Sequence, residues 1–202
     1  MNRHAMIKPL IVLLPVVLLA ACTPAPSADA ELAGTSLTGS PIGGDFTLSD
    51  KTGKAVHWGD FAGKYRIVYF GYTFCPDACP LDVGIMMQAL GRFAKHQPLR
   101  ANTIQPIFIT IDPERDTPAK VGEFAAAFGP GLLGLSGTRA QTDVAIKAFR
   151  VYAQRGKPTT GGYLMDHSRF AYLMDPKGQP IEALPTDLGA DAVVADLEKA
   201  VQ

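Results

Sequence analysis

Hydrophobic positions along this chain change period several times, and each change marks an element. RIVYF (66–70) is continuous enough for a strand covered on both faces. Beyond it, Val83, Met86, Leu90 and Phe93 recur at spacings of three and four, which predicts a helix through LDVGIMMQALGRFAKH (81–96). TIQPIFITID (103–112) reads as a second strand with Pro106 near its start, PAKVGEFAAAF (118–128) as a helix and LLGL (132–135) as a short strand. TDVAIKAFRVYA (142–153) is again helical, and RGKPTTGG (155–162) reads as a glycine-rich loop. RFAYLMD (169–175) and IEAL (181–184) flank the turn PKGQP, and DAVVADLEKAV (191–201) closes the chain as an amphipathic helix. Upstream, DFTLSDKTGKAVHW (45–58) alternates around the turn residues SDKTG and predicts a small N-terminal β-hairpin.

Strand–helix–strand–helix, then a hairpin and a last helix, predicts an α/β domain with a central mixed β-sheet flanked by helices. Ligands in such sheets gather beyond the carboxyl ends of the strands. Cys75 lies five residues past Phe70, at such an end.

The N-terminal segment does not fit that domain. Arg3 and Lys8 precede the short apolar block PLIVLLPVVLLAA, and small residues follow up to Cys22. This is the pattern of a secretory signal over residues 1–21. Leu19-Ala20-Ala21-Cys22 also resembles a bacterial lipoprotein box, in which Cys22 would be lipidated and become the new N-terminus. An uncleaved anchor or an ordinary signal cut remain as alternatives, and all three place the domain outside the cytoplasm. Residues 22–44, rich in Pro, Ala, Ser, Gly and Thr, read as a flexible tether ahead of a domain at 45–202. The whole chain balances 19 basic against 19 acidic residues, and loss of Arg3 and Lys8 leaves a formal charge of −2. Nothing in that balance suggests a nucleic-acid partner, which demands a basic face.

Of three cysteines, spending Cys22 on lipid leaves the pair in YFGYTFCPDACP (69–80). A disulfide closing so small a loop constrains the unfolded chain little, so a purely stabilising clip explains the pair poorly. Pro76 and Pro80 both suit a first helical turn, which puts one or both sulfurs near a helix N-terminus, where the dipole favours thiolate. At i, i+4 on one helical turn, Cys75 and Cys79 face the same side. They can chelate one soft ion or form a disulfide.

Four histidines are available. His4 leaves with the signal, His96 ends a helix, and His57 sits in the hairpin beside Trp58. His167, in MDHSRF after the glycine-rich loop and directly before a strand, is placed to project over the sheet end. Two thiolates and an imidazole suit copper, and zinc is the competitor, although structural zinc generally takes four protein ligands. Asp166, adjacent to His167, is a weak ligand, an outer partner or a surface carboxylate.

Three segments, YFGYTFCPDACP, TIDPERDTP (110–118) and DHSRFAYLMDPKG (166–178), together resemble the Sco/SenC family of copper-binding, thioredoxin-like envelope proteins. The resemblance runs from about Phe46 to the C-terminus. It implies a thioredoxin-like fold and one copper ion, Cu(I) or Cu(II), held by Cys75, Cys79 and His167. It also implies a role in supplying copper to, or preparing the thiols of, the binuclear copper centre of cytochrome c oxidase. Asp112, Pro113, Arg115 and Asp116 match a further family segment and are expected as supporting structure or partner contacts, with helix capping by Asp116 or Thr117 as the bland alternative.

Two relatives of that fold carry other chemistry. Thioredoxin-type oxidoreductases have two residues between their cysteines and a proline where His167-Ser168 stands here. Peroxiredoxins require a threonine and a proline where this chain has Tyr72 and Val68, which excludes a peroxidase. The expected function is therefore a lipid-anchored copper metallochaperone of the bacterial cell envelope, facing the periplasm or extracytoplasmic space. Its expected partners are the oxidase copper-centre subunit, other envelope copper carriers and thiol-disulfide reductants. The alternative is a thiol-disulfide reductase that uses Cys75 and Cys79 as a redox pair, and a copper sensor or scaffold is a third class. Deleting the 156–162 loop separates the last from a carrier.

Overall fold

The computed structural model describes Met1, residues 31–160 and residues 162–202. The rest of the expected signal, Cys22 and residues 23–30 lie outside the described residues. The chain divides into Met1–Ala30 and Glu31–Gln202, and the second unit is the one described below. Among the described residues no helix is long and apolar enough to cross a membrane.

The strands are β1 (Thr35–Ser36), β2 (Thr47–Ser49), β3 (Ala55–His57), β4 (Tyr65–Gly71), β5 (Ile104–Thr110), β6 (Leu133–Leu135), β7 (Ala153–Thr159), β8 (Gly162–His167), β9 (Ala171–Met174) and β10 (Pro180–Leu184). The helices are α1 (Ala78–His96), α2 (Pro98–Ala101), α3 (Pro118–Ala126), α4 (Arg139–Ala148) and α5 (Ala190–Ala200). Six strands form the central sheet in the order β1-β10-β9-β4-β5-β6. β4, β5 and β6 are parallel, whereas β9, β10 and β1 continue from β4 antiparallel, so the sheet is mixed as expected. β2 and β3 form the expected hairpin.

The uninterrupted apolar run of β4 has its explanation in burial: Ile67, Val68, Tyr69 and Phe70 are all buried, with β5 on one side and β9 on the other. Apolar spacing on α1 likewise buries Val83, Met86, Leu90 and Phe93. At one end of the core Phe149 packs against Phe46, Trp58, Phe70 and Tyr172, with ring centroids 5.2 to 6.4 Å apart. This cluster fastens the hairpin to the sheet. Arg66, buried, lies 4.7 Å over the Trp58 ring and donates to the Asp175 carbonyl at 2.7 Å.

Three details differ from the sequence reading. Residues 155–159 and Gly162 of the expected loop belong to the paired strands β7 and β8, and His167 ends β8 instead of merely preceding a strand. The fourth helix stops at Ala148, because Arg150 turns the chain with φ of 54° and Phe149 drops into the core. Part of the stretch read as tether is docked: Thr35 and Ser36 pair with Ala183 and Glu182.

That docking is polar, which is why hydrophobic patterning missed it. The buried Asp196 carboxylate on α5 accepts from the N–H groups of Ala33 at 3.0 Å and Gly34 at 2.8 Å. A Cβ on Gly34 would stand 2.4 Å from the Ala183 carbonyl oxygen, so only glycine lets the chain approach. Glu182 is buried beside Asp196, and burial, together with that neighbouring negative charge, pushes its pKa up to about 8. A carboxyl whose folded pKa lies above its ordinary 4.5 favours folding fully below that value. Its contribution disappears as pH rises towards about 8. Thermal unfolding of the wild type is therefore expected to move to lower temperature across this window. Glu182→Gln should flatten the slope and unfold at a higher temperature than the wild type at pH 8; parallel curves for the two proteins would contradict this assignment.

Candidate metal centre

Parallel pairing of Gly71 with Thr110 brings the ends of β4 and β5 level, so the loops that follow them meet at one edge of the sheet. The first carries Cys75 and leads into α1. The second carries Asp112 and Asp116. Asp116, buried, binds the two together: it accepts from the Thr73 N–H at 2.9 Å, from the Thr73 hydroxyl at 2.5 Å and from the Thr110 hydroxyl at 2.7 Å. Its role is thus to hold the approach to Cys75, while Thr117 caps α3 by accepting from the Lys120 N–H.

α1 begins at Ala78, so Cys75 stands before the helix and Cys79 is its second residue. The Cys75 sulfur accepts the Cys79 N–H at 3.3 Å, occupying one of the free donors at a helix N-terminus. Pro80 falls at the third position, where its missing N–H leaves no bond unmade. Cys79 is wholly buried, Cys75 is half-buried, and both are free thiols. Beneath Cys79 the backbone is bare, and a Cβ on Gly71 would crowd its sulfur and the rings of Phe108 and Tyr69, each at 3.0 Å.

His167 reaches these sulfurs from the end of β8. Its Nε2 lies 3.3 Å from Cys79 Sγ. Its Nδ1 donates to the Ser168 carbonyl at 2.7 Å, which leaves Nε2 as the nitrogen with a free lone pair. The imidazole stands edge-on to the rings of Tyr69 and Tyr72, with centroids 6.3 and 6.0 Å away. Together, one ligand atom each from Cys75, Cys79 and His167 lie within 4.8 Å of one another.

The two thiols are electrostatically unequal. Burial opposes the Cys75 thiolate, but hydrogen bonds from the Cys79 thiol, the Asp77 and Cys79 N–H groups and the Tyr72 hydroxyl outweigh it and lower its pKa. Burial, and then that same bond to Cys75, raise the pKa of Cys79. Burial also lowers the pKa of His167 below its ordinary 6.5, which keeps the ring neutral and able to ligate. One half-buried cysteine whose pKa is lowered, one buried thiol and one neutral imidazole are a donor set for a thiophilic ion.

The remaining candidates fall into place around it. Asp112, buried, is ion-paired with Arg115 and accepts the Tyr163 hydroxyl at 2.9 Å. Arg115 also donates to the Tyr163 carbonyl at 2.8 Å and stacks on that ring, so the 112–115 loop grips the hairpin that carries His167. Asp166 is exposed opposite Gln154 and lies outside the three-residue cluster. His57 is exposed and bonded to the Thr47 hydroxyl at 2.9 Å, and His96 is exposed at the end of α1. The sequence reading missed Tyr69 and Tyr72 as walls of the site. Their only signal was their place in the strand run leading to Cys75, where apolar patterning reads them as core.

A comparison with known proteins adds to this geometry. The sequence profile of the SCO1/SenC family matches residues 34–202. Protein SenC of Rhodobacter capsulatus is 42% identical over 144 residues, 71% of this chain and 63% of that protein. The mitochondrial protein SCO1 of Saccharomyces cerevisiae is 38% identical over 166 residues, 79% of this chain and 55% of that protein. Each match thus spans less than two thirds of the relative's own length. The solved structure of Bradyrhizobium japonicum ScoI with copper bound is 38% identical with a TM-score of 0.71, covering 79% of this chain and 99% of that one. The expected thioredoxin-like fold is shared with this neighbour.

The inequality of the thiols is directly measurable. Brief alkylation at neutral pH should label Cys75 about tenfold or more faster than Cys79, read by peptide mass mapping, because thiolate fraction and access both favour it. Equal rates at the two positions would contradict the assignment.

Proposed function

The chain belongs to the SCO1/SenC family, and from that membership and its donor set we propose that it is a copper metallochaperone. The observation that carries this reading is that two cysteine sulfurs and the Nε2 of a histidine 88 residues away meet within 4.8 Å at one end of the sheet. Copper is the cargo, one ion per chain, and Cu(I) is the state that two thiolates hold best.

Cys75, the less buried sulfur and the one whose pKa is lowered, makes first contact with the ion. Cys79 then exchanges its proton for the metal, and neutral His167 closes the third position through Nε2. Release runs in reverse, with acceptor thiolates replacing these ligands one at a time so that copper is never free. The acceptor in this reading is the copper-centre subunit of cytochrome c oxidase, and other envelope copper carriers supply the ion. Lipidation of Cys22 would hold the domain at a membrane of the bacterial envelope, facing the extracytoplasmic side. The structure of a similar protein, ScoI, with copper bound supports the cargo.

The inequality of the thiols favours one second reading. Cys75 can attack a partner's disulfide, and Cys79 can then displace the partner from the mixed disulfide. Two thiols here become a disulfide, and the partner's disulfide becomes two thiols. This prepares the acceptor's cysteines before loading.

Copper stoichiometry on the reduced protein under anaerobic conditions separates the two. One tightly held ion per chain is expected, with His167→Ala weakening binding by about 100-fold or more, since even outer partners of metal ligands are worth ~10–100-fold. Unchanged affinity in the variant would remove His167 from the site. Absence of tight copper, with ready cycling against a glutathione buffer, would leave the reductase reading.

A further inference from the structure

Two residues beyond His167, the Arg169 guanidinium lies flat against a carboxylate on another element. Its Nε and Nη2 donate to Asp82 Oδ2 at 2.9 Å and Oδ1 at 2.7 Å, a bidentate pair. Asp82 belongs to α1, three residues after Cys79, and its side chain is only 4% exposed. It receives a third bond from the Tyr69 hydroxyl at 2.8 Å. Tyr69 is the residue of β4 whose ring also meets the His167 imidazole edge-on. A single buried carboxylate therefore joins the strand beneath the site, the helix that supplies Cys79 and the turn that follows the histidine.

The other anchors of that turn run elsewhere. The Ser168 N–H donates to the Tyr152 carbonyl at 3.0 Å, and the Ser168 hydroxyl oxygen accepts from the Tyr152 N–H at 3.0 Å. Both bonds tie the turn to residues just before β7, within the same hairpin unit. They leave its distance from α1 unset. Among the described residues, Arg169–Asp82 is the ion pair that joins the turn after His167 to the cysteine-bearing helix. Arg115 and Asp112 grip the far side of the β7–β8 hairpin, at Tyr163, four residues from His167.

We propose that Arg169, acting through Asp82, is a positioning residue that sets His167 over Cys79 and governs how fast bound copper leaves. This rests on the copper-carrier reading above. A metal ligand at the end of a strand is only as well placed as the bonds that hold the turn after it, and loosening bonds that orient a ligand costs ~10–100-fold in metal affinity. The buried carboxylate also makes the pair selective for arginine: one ammonium cannot occupy both oxygens in a planar fork.

The test measures transfer of Cu(I) from the loaded protein to an excess of a chromophoric chelator, alongside thermal stability and the thiolate-to-Cu(II) charge-transfer spectrum. Arg169→Met should release Cu(I) about tenfold faster and shift the charge-transfer band, because the imidazole no longer holds its place. Arg169→Lys should fall between it and the wild type. Since Arg169→Met leaves a buried carboxylate without its cation and costs stability, the paired variant Asp82→Asn/Arg169→Met removes both charges. It should recover stability yet still release copper faster than the wild type. Wild-type release and spectrum in the paired variant would make the ion pair structural only and overturn the proposal. A wild-type protein that holds no copper would overturn the carrier reading itself, which is a separate result.

Discussion

The site depends on one contact between distant parts of the chain: the wholly buried Cys79 sulfur meets a neutral imidazole 88 residues away in sequence, 3.3 Å distant in space. Much of the molecule serves that contact. Burial keeps a proton on Cys79 and keeps His167 uncharged, so the two can sit together without the cost of an isolated buried ion. The same burial leaves Cys75 as the sulfur that solvent and partners meet first. Asymmetry between two chemically identical side chains thus follows from where a helix starts, between the first cysteine and the second.

Holding the imidazole in place takes several polar bonds rather than one large apolar surface. Asp116 draws the loops after β4 and β5 together through Thr73 and Thr110. Asp112 and Arg115 hold the β7–β8 hairpin at Tyr163, and Asp82 meets Tyr69 and Arg169 on the other side. Three carboxylates, each buried and each bonded to two or more donors, surround the ligands without touching the metal position. Buried carboxylates are costly unless so paired, and the pairing is what makes the cluster rigid. Ligands held by such bonds lose little conformational entropy on binding an ion, and this favours tight capture.

The elements that hydrophobic period could reveal were those whose faces are decided by burial. The run at 66–70, the three-four spacing on α1 and the amphipathic last helix all correspond to observed elements, because each buries an apolar face against the one core. The hairpin at Ala153–His167 escaped, since its sequence, AQRGKPT followed by GYLMDH, alternates weakly and carries glycine and proline where strands generally do not. β1 escaped for a related reason: two residues held by Asp196 and by pairing to β10 present no pattern at all.

Residue type and local spacing determined, without any coordinates, that the chain has two thiols poised at a strand end, that Asp112 and Asp116 stand in a loop between a strand and a helix, and that His167 is the histidine to watch. These are local properties, since they depend on neighbours a few residues away. Only the tertiary structure decided which thiol is buried, that Asp166 faces away while Asp82 faces in, and that Arg169 bridges turn to helix. Those outcomes depend on where α1 starts, on the angle at which one hairpin leaves the sheet and on strand register, since a slip of one residue along β8 would exchange the faces of Asp166 and His167.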